Sequence, residues 1–497
     1  MNMIKKACRI VSGIRISKRT RPACMAAAAV ALCLVSALYA VDNDVKKLLR
    51  QATGITDDDV RAASAKNELS LYDAFALAVQ KTERMAIEGE NSIQAQERKL
   101  QAIETFLPYF SLRANKAFPS PDSSYMSLAR SAVSLYLRQP IMTGLKEASQ
   151  IKSAWSDRKI REYQLYNSSS QLLMDVGTAY YSVLLLERDL KNNEELLNLY
   201  VKMVNEIRRR VDIGRSRQSE ILRTNAQIYT LQAQIKSLRT NLEHTKLILA
   251  TLTGVETDFI LSDSLSLPDP PYTRLDVQRI VDVRWDVKAA KEQVEFSRSG
   301  VLAAYGTHLP NVYLEGSYVL YQENPYRVDR TKQAAQTALS SNPAMSLLGS
   351  RLNYGVPTRS RDYYFSLGAE LPILGGDITF AKIREANSKK RQADLAYSQA
   401  IRLARQDIVD SFQNWESSKI ELEAYHKALI SSEQNYQVVS GEYRMNQVTI
   451  LDVLTTLTAL QSARDSYERS QLQLKLNRVR LGVSINEFSG NKISALK

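Results

Sequence analysis

The chain has 497 residues, a formal net charge of +13, and only 18 Gly and 13 Pro. That scarcity is unlike a loop-rich enzyme and suits long uninterrupted helices, in which both residues are costly. Seven of the positive charges (Lys5, Lys6, Arg9, Arg15, Lys18, Arg19 and Arg21) precede any acid, so the remainder carries about +6 and composition gives no support for nucleic-acid binding.

Residues 1–40 read as a secretory signal: the basic start is followed by an apolar run from Ala23 to Leu38 and a cleavage point after Ala40. The run is short for a bilayer anchor. Leu32 before Cys33 is bulkier than lipoprotein signals tolerate, so no lipid anchor is expected. All three cysteines (Cys8, Cys24 and Cys33) lie in this segment. The rest of the chain therefore has no disulfide, thiolate metal ligand or cysteine nucleophile. It also has no further stretch apolar enough for a membrane helix, so any membrane entry must use β-strands.

After an extension over 41–68, two halves at 69–264 and 273–488 follow one plan, separated by a Pro-rich crossing at 265–272. The first half opens with a helix near Leu69-Ser70, where Ser70 and Asp73 form a capping pattern, and runs to about Phe106. Strands at about 109–118 and 131–141 then alternate, with Phe110, Leu112 and Ala114 opposing Ser111, Arg113 and Asn115. A helix from Leu145 to Ile213 contains only Gly177; such a helix would reach about 100 Å, deeper than any globular core. It turns at a tip over 211–219 and returns through Arg215–Thr253. There Ile228, Leu231, Ile235, Leu238, Leu242, Thr245, Leu249 and Leu252 alternate steps of three and four, a coiled-coil seam.

The second half repeats this order: a helix from about Thr273 to Thr307, strands at about 311–321 and 362–373 around a polar loop at 323–361, and a second long helix. Its tip spans 443–451, and Val453, Leu460, Tyr467, Leu474 and Leu481 keep a seven-residue step on the returning helix. Leu107-Pro108 recurs as Leu309-Pro310 at an offset of 202, whereas Gln139-Pro140, Gly214 and Gly254 meet Leu371-Pro372, Asn446 and Asn486 at 232. The 30 added residues fall in one loop. A short tail covers 489–497.

The start Leu69-Ser70-Leu71-Tyr72-Asp73-Ala74, the two Leu-Pro pairs, Leu371-Pro372-Ile373-Leu374-Gly375-Gly376 and the tip from Tyr443 to Leu454 resemble the TolC-type outer-membrane efflux protein family, over nearly all of 69–488. The resemblance implies a mostly α protein with a β-barrel part. It implies a homotrimer with four strands per chain in a twelve-stranded barrel set in outer-membrane lipid, continuous with a helical coiled-coil barrel in the periplasm. It further implies partnership with a periplasmic adaptor (membrane fusion) protein and an inner-membrane pump, in efflux or type I secretion. By position, Gly214, Arg215, Asn446 and Gln447 are the tip turns that would meet the adaptor. Glu220 and Asp452 are the candidate aperture acids, since rings of acid at a constriction favour cations. Each also fits a plain role as a first-turn acid of a helix. Val448 stands where the family often has arginine, and Thr455 where a second acid is common. A basic cluster of Arg208, Arg209, Arg210, Arg215 and Arg217 marks the first tip and is a candidate partner for those acids.

No phosphate loop, dinucleotide fingerprint or nucleophile elbow occurs, and His244, His308 and His426 lack metal-ligand spacing, so neither catalysis nor a cofactor is expected. The rival reading is a soluble periplasmic coiled-coil scaffold or adaptor, which would not need the paired alternating strands.

Overall fold

Two helices of 67 and 65 residues, each followed by a returning helix of about half that length, make up more than half of the described residues. The computed structural model describes residues 41–66, 68–115, 132–214, 216–256, 259–263, 268–272, 276–322, 363–371, 380–445 and 447–488. The expected export signal, the loop at 323–361, the Gly375-Gly376 joint and the tail lie outside these residues.

In order, the elements are α1 (Val41–Thr53), α2 (Asp57–Ser64), β1 (Glu68–Leu69), α3 (Leu71–Lys81), α4 (Glu83–Glu104), β2 (Tyr109–Asn115), β3 (Ala132–Thr143), α5 (Lys146–Asp212) and α6 (Gln218–Thr253). Then come β4 (Ile260–Leu261), α7 (Val277–Val283), α8 (Trp285–Gly306), β5 (Asn311–Gln322), β6 (Tyr363–Glu370), α9 (Phe380–Arg444) and α10 (Ile450–Ser484). Where the sequence suggests one helix before each strand pair, the structure has two. Thr82 breaks the first and Arg284 the second, both in extended backbone conformation. Neither break has a Pro or Gly behind it. At Arg284 the cause is tertiary: its guanidinium is drawn to Asp286 (2.8 Å), Asp407 (2.5 Å) and the Ser484 carbonyl (3.2 Å).

The described residues form two compact units. The first takes in the chain up to Gln94, Arg161–Ala289 and the chain from Ser398. Its core centres on α3, whose residues from Leu71 to Val79 are all buried; Ser70 caps it, with the Asp73 carboxylate accepting from the Ser70 hydroxyl at 2.7 Å. Around α3 pack Leu172, Leu173, Val176 and Tyr180 of α5, Leu249 of α6 and Val479 of α10. A short parallel pairing of β1 with β4 closes this core, with the Tyr180 hydroxyl 3.0 Å from the Leu69 carbonyl.

The second unit takes in Ala95–Ile160 and Ala290–Tyr397 and holds an open antiparallel sheet in the order β2-β3-β5-β6. The register pairs Phe110 with Leu137, Leu137 with Gly316 and Gly316 with Phe365. Because side chains alternate across a strand, Phe110, Leu112, Leu135, Leu137, Leu314, Phe365 and Leu367 share one face. Arg113, Tyr136, Arg138, Glu315 and Ser366 share the other. That second face is knit by polar contacts: the Tyr136 hydroxyl donates to Glu315 at 2.7 Å, and the Arg113 guanidinium stacks 3.5 Å over the Tyr136 ring. The apolar face is bare in the single chain, with Leu112, Phe365 and Leu367 exposed by 65%, 67% and 69%.

Candidate functional site at the hairpin tips

Both tips end in the same apolar cluster. Tyr200, Val204 and Ile207 of α5, Ile221 and Ile228 of α6, and Ile450, Val453, Leu454 and Leu457 of α10 are all buried in it. Tyr436, Val439 and Tyr443 of α9 pack against its side. The cluster fixes the two hairpin ends beside each other within one compact unit, so polar groups on one can reach the other.

The first turn is made by Gly214, whose φ of 73° is left-handed and whose N–H reaches the Val211 carbonyl at 2.9 Å. Arg215 and Asn446, two of the tip residues marked in the sequence, lie outside the described residues. Gln447 is exposed, and its N–H reaches back to the Glu442 carbonyl at 2.9 Å.

The two marked acids stand in different local settings. Asp452 is the third residue of α10, and its carboxylate accepts from the Thr449 hydroxyl (2.6 Å) and the Thr449 backbone N–H (2.9 Å). These bonds, the hydroxyl first, hold its pKa below the usual aspartate value. In α6 the matching N-cap is Arg217, which makes no side-chain cap, and the Glu220 carboxylate instead accepts from the Ser216 hydroxyl. Among the described residues neither acid has an ion-pair partner.

The contact that joins the two tips runs through Arg210 and Tyr443. The Arg210 guanidinium lies 4.3 Å over the Tyr443 ring and donates to the Tyr443 carbonyl at 3.2 Å, while also reaching Glu206 at 3.4 Å. The Tyr443 hydroxyl is buried. Burial pushes this phenol above its ordinary value, Arg210 opposes the shift, and Glu220 adds to it. Arg208, Arg209 and Arg217 face solvent. Of the basic cluster, then, the structure draws in Arg210 and leaves these three exposed. Tyr443 carries no mark in the sequence beyond its place before Asn446, because its partner is 233 residues away.

Comparison with known proteins shows what the chain as a whole is similar to. The sequence profile described as outer membrane efflux protein matches residues 90–255 and 277–487. The outer membrane protein TolC of Escherichia coli is 21% identical over 462 residues, covering 91% of this chain and 89% of the relative. The solved outer membrane protein VceC of Vibrio cholerae superposes with a TM-score of 0.68 at 16% identity, over 84% of this chain and 95% of that one. The open-state MtrE outer membrane channel of Neisseria gonorrhoeae gives 0.66 at 17%, over 84% and 89%. At such identities the structural likeness establishes the fold.

Proposed function

The chain belongs to the outer membrane efflux protein family, and we propose that three copies assemble into one channel whose barrel each copy completes with four strands. It is an outer-membrane channel protein of the tripartite efflux type, with its helical part in the periplasm, not an enzyme and not a soluble scaffold or adaptor.

The observation that carries the trimer is the open four-stranded sheet. Its edges β2 and β6 have no further strand partner among the described residues, and one face carries large apolar side chains. Such a sheet cannot sit in lipid with open edges, because nothing there satisfies the backbone. Joining β6 of one copy to β2 of the next would close twelve strands with the apolar face to lipid and the Arg113–Tyr136–Glu315 face to the pore. The two long hairpins, read as a duplicated helix–strand–strand–helix–helix unit over 69–264 and 273–488, would extend the pore into the periplasm. Their tips would meet a periplasmic adaptor fed by an inner-membrane pump, with Gly214, Arg215, Asn446 and Gln447 at the turns. Asp452 and Glu220 would line the aperture.

The test is envelope fractionation followed by detergent extraction and a mass measurement of the intact particle. A detergent-requiring outer-membrane trimer is expected. A water-soluble species, or a particle of another stoichiometry, would sink the assembly proposed here.

A further inference from the structure

The two tips carry opposite charge. Residues 202–223 hold seven basic side chains against three acids (Glu206, Asp212 and Glu220), whereas the matching window 434–455 holds only Arg444 against Glu442 and Asp452. Of the basic set, Lys202, Arg208, Arg209, Arg217 and Arg223 are exposed and have no ion-pair partner among the described residues. Arg210 is spent in anchoring the hairpins to each other. Between these arginines stand two large apolar side chains, Ile213 and Leu222, exposed by 65% and 63%.

We propose that the first tip is the docking surface for an acidic partner protein, engaged through Arg208, Arg209 and Arg217 with Ile213 and Leu222 between them. The proposal rests on the reading that the tips meet a periplasmic partner, and it assigns that partner's contact surface its chemistry. Assembly with further copies of the same chain cannot supply the missing charge. Each copy brings eight basic side chains and five acids in its two tips, so the positive excess multiplies with copy number. The counter-charge must come from another molecule. Exposed apolar side chains among arginines favour a protein over a small anion, since that mixture is typical of protein interfaces, while an ion gains nothing from an adjacent Leu. The second tip, with its capped Asp452 and weak acidic excess, is not the primary site for such a partner.

The test uses the full-length chain in detergent, immobilised, with three probes. Two are synthetic helical hairpins sharing one apolar seam, with all solvent-facing positions either Glu or Lys; the third is sodium polyphosphate. The Glu hairpin is expected to bind at least about tenfold tighter than the Lys hairpin and to weaken with added salt. The triple reversal Arg208→Glu, Arg209→Glu, Arg217→Glu should invert that preference, so that the Lys hairpin now binds; Arg444→Glu should leave it unchanged. Gain of the Lys hairpin cannot come from misfolding. Equal binding of both hairpins, or a preference untouched by the triple reversal, overturns the proposal. So does polyphosphate that displaces the Glu hairpin completely, which would mark a general anion sink. Particle mass measured on the same sample separates the outcomes: a wrong oligomer defeats the channel assembly, whereas the hairpin preference alone decides the partner's charge.

Discussion

Asp452 illustrates how one side chain can serve a local and a global purpose at once. Its carboxylate is occupied by Thr449, so it starts α10 whether or not it also faces an aperture. Thr449→Ala removes a cap hydroxyl and should cost about 1 kcal/mol, seen as faster amide exchange in the first turn of α10. Asp452 has a depressed folded pKa, so its contribution is fully present above the unfolded aspartate value of about 3.9 and is lost as pH falls through the lower folded value. Reversal to Asp452→Arg separates the two roles, because Asp452→Asn already weakens the cap. If only the reversal changes single-channel conductance and resting leak, the acid lines the aperture; if the two match, it only caps. At Arg210, stacking on Tyr443 and the bond to its carbonyl couple the hairpins directly. A double-mutant cycle of Arg210→Ala with Tyr443→Leu should give a coupling of about 1 kcal/mol in thermal unfolding, whereas additivity would show that the ring stack adds nothing to the apolar cluster and the bond to the carbonyl.

Elements meet where their ends are compatible, and two junctions show how. Gly144 follows β3 with a φ of 60°, and a Cβ built there would lie 2.0 Å from the Gly306 carbonyl oxygen. One built on Gly306 would lie 1.9 Å from that of Gly144. Backbone faces backbone, so neither can yield, and Gly306→Ala should separate α8 from the strand-to-helix turn and lower Tm by several degrees. The second junction lies between α5 and α10, where Asn192 donates to Asp465 and Glu468, and Arg469 reaches Asp189. Burial raises the acids Asp189 and Asp465 above the usual aspartate range, with Arg469 opposing it at Asp189 and hydrogen bonds from Asn192 and Gln461 opposing it at Asp465. A raised carboxyl destabilises the fold when ionised. Stability of this contact should therefore increase as pH drops through the raised folded values, and Asp465→Asn should flatten that dependence in hydrogen exchange. Such facts were out of reach of the sequence for a physical reason. Strand alternation and helix length are written in local periodicity, and the ordered short motifs carried the family, so the predominantly helical fold and the efflux role were legible. The break at Arg284, the Arg210–Tyr443 contact and the buried acids depend on partners up to 280 residues away. No local pattern encodes them.

At the scale of the whole molecule, the sheet and the helical hairpins pose one problem. The chain buries a core around α3 and a second one at the tips, yet leaves the large side chains of one sheet face uncovered. An exposed apolar face of this kind is untenable in water and expected in lipid. The register sharpens the point, because Ser366 and Leu367 are neighbours on β6 but point to opposite faces. In the proposed barrel Leu367 meets lipid and Ser366 the pore. A lysine on the lipid side near mid-bilayer costs about 2–4 kcal/mol, and one in the lumen very little. Leu367→Lys should therefore cut the yield of detergent-extracted trimer and lower its melting temperature, while Ser366→Lys should assemble normally and shift ion selectivity toward anions. The reverse ranking would mean that the apolar face packs on protein instead, and the sheet would have to be read as half of a sandwich rather than a segment of a barrel.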